Sequence, residues 1–178
     1  MEHIDPGASS TGIKHRMARR IADINNSQIG ILFNSKENAE LLARETARFY
    51  EERHQCTLED CFDKKQAMQA CPTEHLQKLS EACNFLIISF GDSESCASCS
   101  LHDGISFEQY GKPALVVCTR PFEATAKNTA SVLGLPDYPF ALVDHPIGSS
   151  TPAEITERAL SAYRQGMAIL SGAYLIRG

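Results

Sequence analysis

The sequence predicts an α/β fold in which helices cover both faces of a doubly wound, five-stranded parallel sheet. Short and nearly continuous apolar runs, such as residues 84–90 and 114–119, are typical of strands buried on both faces of a parallel sheet. Segments whose apolar residues recur at helical spacing separate these runs. Because crossovers between parallel strands are right-handed, this alternation places helices on both faces.

An N-terminal arm over residues 1–27 precedes a single α/β domain over residues 28–178. We predict a basic amphipathic helix over residues 13–24 of the arm, packed on the body or on a second subunit; the alternative is contact with an anionic ligand or a membrane surface. The first elements of the domain are predicted, in order, as a strand over residues 28–33, a helix over residues 36–53, a short strand over residues 55–58, a helix over residues 73–82 capped by Thr73, and a strand over residues 84–90.

The second half of the domain completes the sheet. We predict, in order, a helix beginning near Cys96, a strand over residues 114–119, a helix over residues 120–133 with Pro121 in its first turn, a strand over residues 139–144, and a helix over residues 151–170 that opens with a capping box. For these five strands we predict the flavodoxin-like order 2-1-3-4-5.

Composition limits the classes of function. The 178 residues carry a net charge of −5, whereas a nucleic-acid-binding domain needs a basic surface. No apolar run approaches the ~20 residues of a membrane helix. The N-terminus also lacks a hydrophobic signal-peptide core, so we expect a cytoplasmic protein with no membrane partner. The seven cysteines are then expected to be mostly reduced.

Most cysteines have a structural interpretation. Cys56, Cys61 and Cys71 are spaced too widely for a zinc knuckle, and we interpret them as structural or incidental. Cys118 lies inside a predicted strand, where it is expected to serve as a small core residue.

Cys96 is placed where cysteines become reactive. It follows the strand over residues 84–90 and a small polar loop in which Ser93 or Ser95 can cap a helix. At a helix N-terminus, unpaired backbone N–H groups and the helix dipole favour a thiolate over a thiol.

Spacing adds two further groups to the Cys96 face of this helix. Cys99 lies three residues and Asp103 seven residues after Cys96, so the three project from one face, with His102 on an adjacent face. Two thiols, an imidazole and a carboxylate can form a nucleophile with its base, a thiol–disulfide couple, or part of a metal site.

Polar residues also follow the other strands, and ligands of such sheets bind beyond the carboxyl ends of the strands. The residues expected in this crevice are Asn34, Ser35 and Lys36 after the first strand, Asp92, Ser93 and Ser95 after the third, Thr119 and Arg120 at the fourth, and Asp144 and His145 after the fifth. Each also has a plainer alternative as a helix cap, a turn residue or a surface ion-pair partner.

Residues 91–103 resemble the signature of the UGSC-motif family, small bacterial proteins of which some contain selenocysteine. The resemblance extends over about residues 29–170 and includes residues 34–39, residues 110–113 and His145-Pro146. Ser93 stands where the family pattern has selenocysteine or cysteine, and Glu94 stands where it has glycine. The resemblance implies thiol or selenol chemistry, but the first redox atom of the pattern is absent here.

The pattern favours a cysteine-dependent enzyme, a lyase or transferase or an oxidoreductase, that acts on a small anionic and sulfur-containing or electrophilic metabolite. Cys96 is the predicted nucleophile, activated by the helix terminus and by His102 or His145, with Asp103 nearby. Arg120 or Lys36 would hold the substrate. Cys99 would resolve an intermediate on Cys96.

Three alternatives stay open. Cys96 and Cys99 could form a dithiol oxidoreductase couple, or they could bind a metal ion together with His102 or His145, although no cofactor is expected. The chain could also be a non-catalytic binding protein. A homo-oligomer is also expected, with the N-terminal arm as a candidate interface.

Overall fold

The computed structural model describes residues 15–65, 69–89 and 93–173 of the chain. Its elements are β1 (Gln28–Phe33), α1 (Ala39–His54), β2 (Thr57–Asp63), α2 (Thr73–Ala82), β3 (Phe85–Ser89), α3 (Glu94–Glu108), β4 (Ala114–Thr119), a short 3₁₀ turn (Arg120–Phe122), α4 (Glu123–Val132), β5 (Ala141–Val143) and α5 (Pro152–Ser171).

The five strands form one parallel sheet in the order β2-β1-β3-β4-β5, which confirms the predicted fold class and strand order. Ile87 of β3 lies at the centre of the sheet, paired with Ile31 of β1 on one side and with Leu115 of β4 on the other. Because all strands run in the same direction, their carboxyl ends lie along one edge.

Two apolar cores, one on each face of the sheet, hold the helices. The side chains of Ile31, Ile87 and Leu115 face α1 and α5, whereas those of Ile88 and Val116 face α2, α3 and α4. Successive residues of a strand point to opposite faces, so a strand buried on both faces must be apolar at nearly every position. This requirement is why the central strands were visible in the sequence.

The edge strand and the helix starts differ from prediction. β2 extends to Asp63, beyond the predicted residues 55–58, and its mostly exposed or half-buried side chains gave little apolar signal. Thr73 is the first residue of α2 rather than its cap, a position that Pro72 occupies. The α5 capping box at Thr151 and Glu154 is confirmed.

The N-terminal arm packs on the body without forming a helix, so the predicted helix is wrong for its described part, residues 15–24. The Ala18 N–H donates to Glu108 Oε2 (2.7 Å), and the Ile21 N–H donates to the Leu170 carbonyl (2.8 Å). These bonds use backbone groups that a helix would occupy internally, and short isolated helices have little stability of their own.

Among the described helices, none is long and apolar enough to cross a membrane.

Candidate functional site

The start of α3 has the predicted strand–loop–helix arrangement. Ser93 is the N-cap residue, and its Oγ accepts a hydrogen bond from the Cys96 N–H (3.4 Å). Ser95 is exposed in the first turn, 3.5 Å from Ser93 Oγ between the two hydroxyl oxygens. Asp92, a predicted substrate-binding residue, lies outside the described residues.

The thiol of Cys96 is buried, contrary to its predicted place in an open cleft. Its exposed fraction is 0%, and it belongs to the apolar core formed with Ala97, Leu101 and other residues of the α2–α4 face. Because the same face of α3 packs against the sheet, Cys96 turns inward with it. The prediction of a solvent-accessible nucleophile at this position is therefore wrong in its geometry.

Cys99 and His102 instead line one open groove between α3 and α4. The groove has a volume of about 500 Å³, within the range of small-molecule sites. Its lining residues are Ala70, Ser98, Cys99, His102, Thr125, Asn128, Thr129, Val132 and Leu133. Of the seven cysteines, only Cys61 and Cys99 are partly exposed, so this groove holds one of the two accessible thiols.

His102 presents its imidazole partly to the groove and partly to the protein. Its side chain is 46% exposed, yet its Nδ1 atom is buried with no hydrogen-bond partner. Asp103 Oδ1 lies 3.8 Å from this nitrogen, too far for a hydrogen bond. On a helix, residues three apart have Cβ atoms about 5–6 Å apart, so Cys99 and His102 are neighbours on the surface of α3.

Asp103 faces the interior beneath this groove. Its Oδ2 accepts from the ammonium of Lys64 (2.6 Å), and its Oδ1 accepts from the Cys71 N–H (2.7 Å). The Asp103 and Lys64 side chains are 1% and 6% exposed, so this is a buried ion pair. Asp103 therefore ties the segment after β2 to α3 and does not reach the groove as the predicted catalytic carboxylate.

The thiols around this ion pair are held mainly in the protonated form. Burial raises the pKa of Cys99 above its ordinary value, the Lys64 charge lowers it, and the Asp103 charge raises it. Burial raises the pKa of Cys71 to about 12, with Asp103 adding to the effect and Lys64 opposing it. An ionised Cys99 sulfur therefore needs a partner that takes its proton.

The residues after β1 lie at the carboxyl edge of the sheet, as predicted. Asn34 is buried, and its Oδ1 accepts from the Lys36 N–H (3.3 Å). The Ser35 hydroxyl donates to Asp63 Oδ1 (2.9 Å), at the end of β2. Lys36 is an exposed residue of the same loop. Asn34, Ser35 and Lys36 are not among the residues that line the Cys99 groove.

The ends of β4 and β5 meet at the same edge. Arg120 Nε donates to Asp144 Oδ1 (2.9 Å) in an exposed ion pair, so this guanidinium is already engaged. His145 Nδ1 lies 3.5 Å from the Thr119 hydroxyl oxygen, and its ring packs edge-on against Phe122. His145 and Arg120 are not among the residues that line the Cys99 groove.

A family model for the UGSC family matches residues 2–172. The chain belongs to the UGSC family. The match is wider than the resemblance over residues 29–170 that the motifs indicated. A search of curated proteins gives no match for this UGSC family member.

Among solved structures, this UGSC family member is similar to a diflavin flavoprotein A3 from Nostoc sp. The two share 16% sequence identity with a TM-score of 0.44, and the similarity covers 81% of this chain and 94% of the other.

The site of this UGSC family member thus divides in two. His102 joins Cys99 in the groove, while His145, Arg120 and Lys36 stay at the carboxyl edge. Within residues 15–65, 69–89 and 93–173, no three His, Cys, Asp or Glu side chains are grouped to hold a metal ion. The alternative of a metal bound by Cys96, Cys99 and a histidine is therefore not supported.

The residues of the groove walls and the buried cation Lys64 could not be recognised from the sequence. Lys64 follows β2 within a charged stretch and gave no signal that its ammonium is buried. Thr125, Asn128 and Val132 lie about thirty residues after Cys99 and become its neighbours only because α4 packs beside α3. Their spacing at helical intervals was visible, but the element they would face was not.

Proposed function

We propose that this UGSC protein is a thiol-dependent enzyme in which Cys99 carries the reactive sulfur and His102 acts as its base. One observation carries the proposal: a partly exposed thiol and an imidazole, three residues apart on α3, line the same groove. The groove is large enough for a small substrate, and burial of Cys96 leaves Cys99 as the accessible thiol of this helix.

The chemistry follows from the raised pKa of Cys99, which leaves the thiol protonated in the free protein. As sulfur approaches an electrophilic carbon, the thiol proton passes to His102 and a sulfur electron pair forms the new S–C bond. The electron pair of the carbon's double bond moves to its far atom, which then takes the proton from the imidazolium. No oxidant enters this step.

The buried ion pair supports this assignment by fixing the groove. Asp103 holds Lys64 and the Cys71 backbone, and Ala70, next to Cys71, forms part of the groove wall. The Lys64 charge also favours the Cys99 thiolate. Asp103 and Lys64 are therefore positioning residues in this proposal, not groups that contact substrate.

Alkylation with iodoacetamide, followed by mass spectrometry of each cysteine between pH 6 and pH 10, tests the proposal. Cys61 is the matched control, since it is also partly exposed and burial also raises its pKa. We expect Cys99 to react faster than Cys61 at pH 7. His102→Gln should slow Cys99 by at least about tenfold, below the ~10²–10⁴-fold that general bases contribute to catalysis.

Equal rates at Cys99 and Cys61, together with no effect of His102→Gln, would overturn the assignment. Cys96→Ala separates it from the dithiol alternative, because a single-sulfur mechanism keeps the reactivity of Cys99 without the second thiol. Loss of Cys99 reactivity in a Cys96→Ala protein that unfolds like the wild type would favour the dithiol couple instead.

A further inference from the structure

The electrostatics of the groove identify the kind of molecule that Cys99 receives, an inference that rests on the proposed function. The described residues that line the groove include no lysine, arginine, aspartate or glutamate. Lys64 is the cation whose charge acts on the pKa of Cys99, and its ammonium is buried and paired with Asp103 at 2.6 Å. An anionic substrate would thus lose hydration in this groove without gaining an unpaired lysine or arginine partner among the described residues that line it.

The cations that sequence analysis assigned to substrate binding do not reach this groove. Arg120 is bonded to Asp144 at the carboxyl edge, and Lys36 lies in the loop after β1. On α4 itself, Lys127 is paired with Glu123 at 2.6 Å and does not line the groove. Within the described part of the chain, the expected anionic substrate therefore meets no lysine or arginine among the groove-lining residues beside the accessible thiol.

One wall of the groove is apolar. Val132 and Leu133 at the end of α4 line it, and Val132 is 87% exposed. Ala70 adds a methyl group to the lining. Two of the polar lining residues satisfy each other, since the Thr129 hydroxyl donates to Ser98 Oγ at 3.0 Å.

We infer that the substrate of Cys99 is an uncharged electrophile with an apolar body, seated against Val132 and Leu133 with its reactive carbon toward the sulfur. Such a molecule gains free energy from covering Val132 and leaves no charge unpaired. The sequence indicated a substrate with an anionic group. In this inference the groove selects its substrate by apolar surface instead. Val132 is then a specificity-determining residue.

Two matched pairs of probes test this inference in the full-length protein. Iodoacetate and iodoacetamide differ in charge, and N-phenylmaleimide and maleimide differ by an apolar ring. Cys61 is an internal reference because it is also partly exposed. Burial raises its pKa, and the nearby Arg44 guanidinium, which is paired with Glu40 at 2.7 Å, opposes that effect.

At Cys99 we expect the rate ratio of N-phenylmaleimide to maleimide to exceed that at Cys61 by roughly fivefold to tenfold, the effect of covering part of one ring. The ratio of iodoacetate to iodoacetamide should be lower at Cys99 than at Cys61. Val132→Lys should reverse both trends at Cys99, and its exposed position makes folding insensitive to the change. Thr57→Lys, at an exposed position of β2, is the matched surface control and should change neither ratio at Cys99.

Ratios at Cys99 equal to those at Cys61, or unchanged by Val132→Lys, would overturn this inference. Preference for iodoacetate at Cys99 would overturn it and restore the anionic substrate. These outcomes differ from a failure of the proposed function, which would appear as slow reaction of Cys99 with uncharged iodoacetamide and no effect of His102→Gln.

Discussion

Glu108 at the end of α3 joins three parts of the molecule, and neutralising it should cost much of the folding free energy. Its Oε2 accepts from the Ala18 N–H (2.7 Å) and from the Arg20 guanidinium, which ties the N-terminal arm to the body. Its Oε1 accepts from the Ala114 N–H (3.2 Å) at the start of β4 and from the Tyr138 hydroxyl (3.1 Å).

The size of the expected loss of folding free energy follows from the burial of both side chains. The side chains of Arg20 and Glu108 are 9% and 0% exposed, so Glu108→Gln leaves a buried guanidinium without its counter-charge. Removing one partner of a buried ion pair costs about 3–5 kcal/mol. Glutamine keeps the shape and one acceptor oxygen, so we expect the lower end, about 3 kcal/mol. For a chain of this size, this corresponds to a fall in melting temperature of about 6–12 °C.

Urea unfolding followed by circular dichroism measures this loss. Glu52→Gln is the matched control, because its ion pair with Arg48 is exposed to solvent and should contribute much less to stability than a buried pair. In the double variant Arg20→Met with Glu108→Gln, the total loss should be smaller than the sum of the single losses, since no charge is left buried. A Glu108→Gln protein as stable as Glu52→Gln would refute the reasoning.

Two further predictions concern the loop at the carboxyl edge and the buried thiols. Asn38, at φ 61°, places its Nδ2 at 3.0, 3.1 and 2.9 Å from the carbonyl oxygens of Ile147, Gly148 and Ser150. Asn38→Ala should therefore lose about 1–2 kcal/mol more in urea unfolding than Asn26→Ala, which shares only the positive φ (58°); equal losses would contradict the role of these bonds. Burial raises the pKa of the Cys83 thiol to about 12, so the folded protein retains a proton that the unfolded chain releases above ~8.5. The contribution of this thiol to the free energy of unfolding is therefore fully present below that pH, and it is lost as the pH rises, by up to about 1.4 kcal/mol per pH unit. In Cys83→Ala the free energy of unfolding should fall less steeply between pH 8 and pH 10. An unchanged slope would contradict the assignment.

The sheet could be predicted from the sequence because its central strands are buried on both faces. Phe85–Ser89 and Ala114–Thr119 are buried at every position, and such short continuous apolar runs between helical segments are typical of strands in a parallel sheet. β2 lies at the edge with only one neighbouring strand, so its end at Asp63 had no comparable signal. The arm was misread because its conformation depends on Glu108, about ninety residues away.

The groove could be predicted only in part, because most of its chemistry depends on contacts distant in sequence. The pair Cys99 and His102 was visible as a local spacing on one helix. That Lys64 neutralises Asp103, and that Val132 borders the thiol, depends on how β2 and α4 pack against α3. Sequence patterns describe one element at a time and do not contain this information.

The exchange of roles between Cys96 and Cys99 follows from the geometry of a single helix. A step of three residues turns an α-helix about 60° short of a full circle, so the row Cys96, Cys99, His102 winds around α3. The exposed fraction rises along this row, from 0% at Cys96 to a half-buried Cys99 and a 46% exposed imidazole. Asp103, seven residues after Cys96, returns to within about 20° of it and is buried likewise. Grouping these residues on one face was therefore correct for Cys96 and Asp103. It was wrong for Cys99, which this rotation carries out of the core and into the groove beside the imidazole.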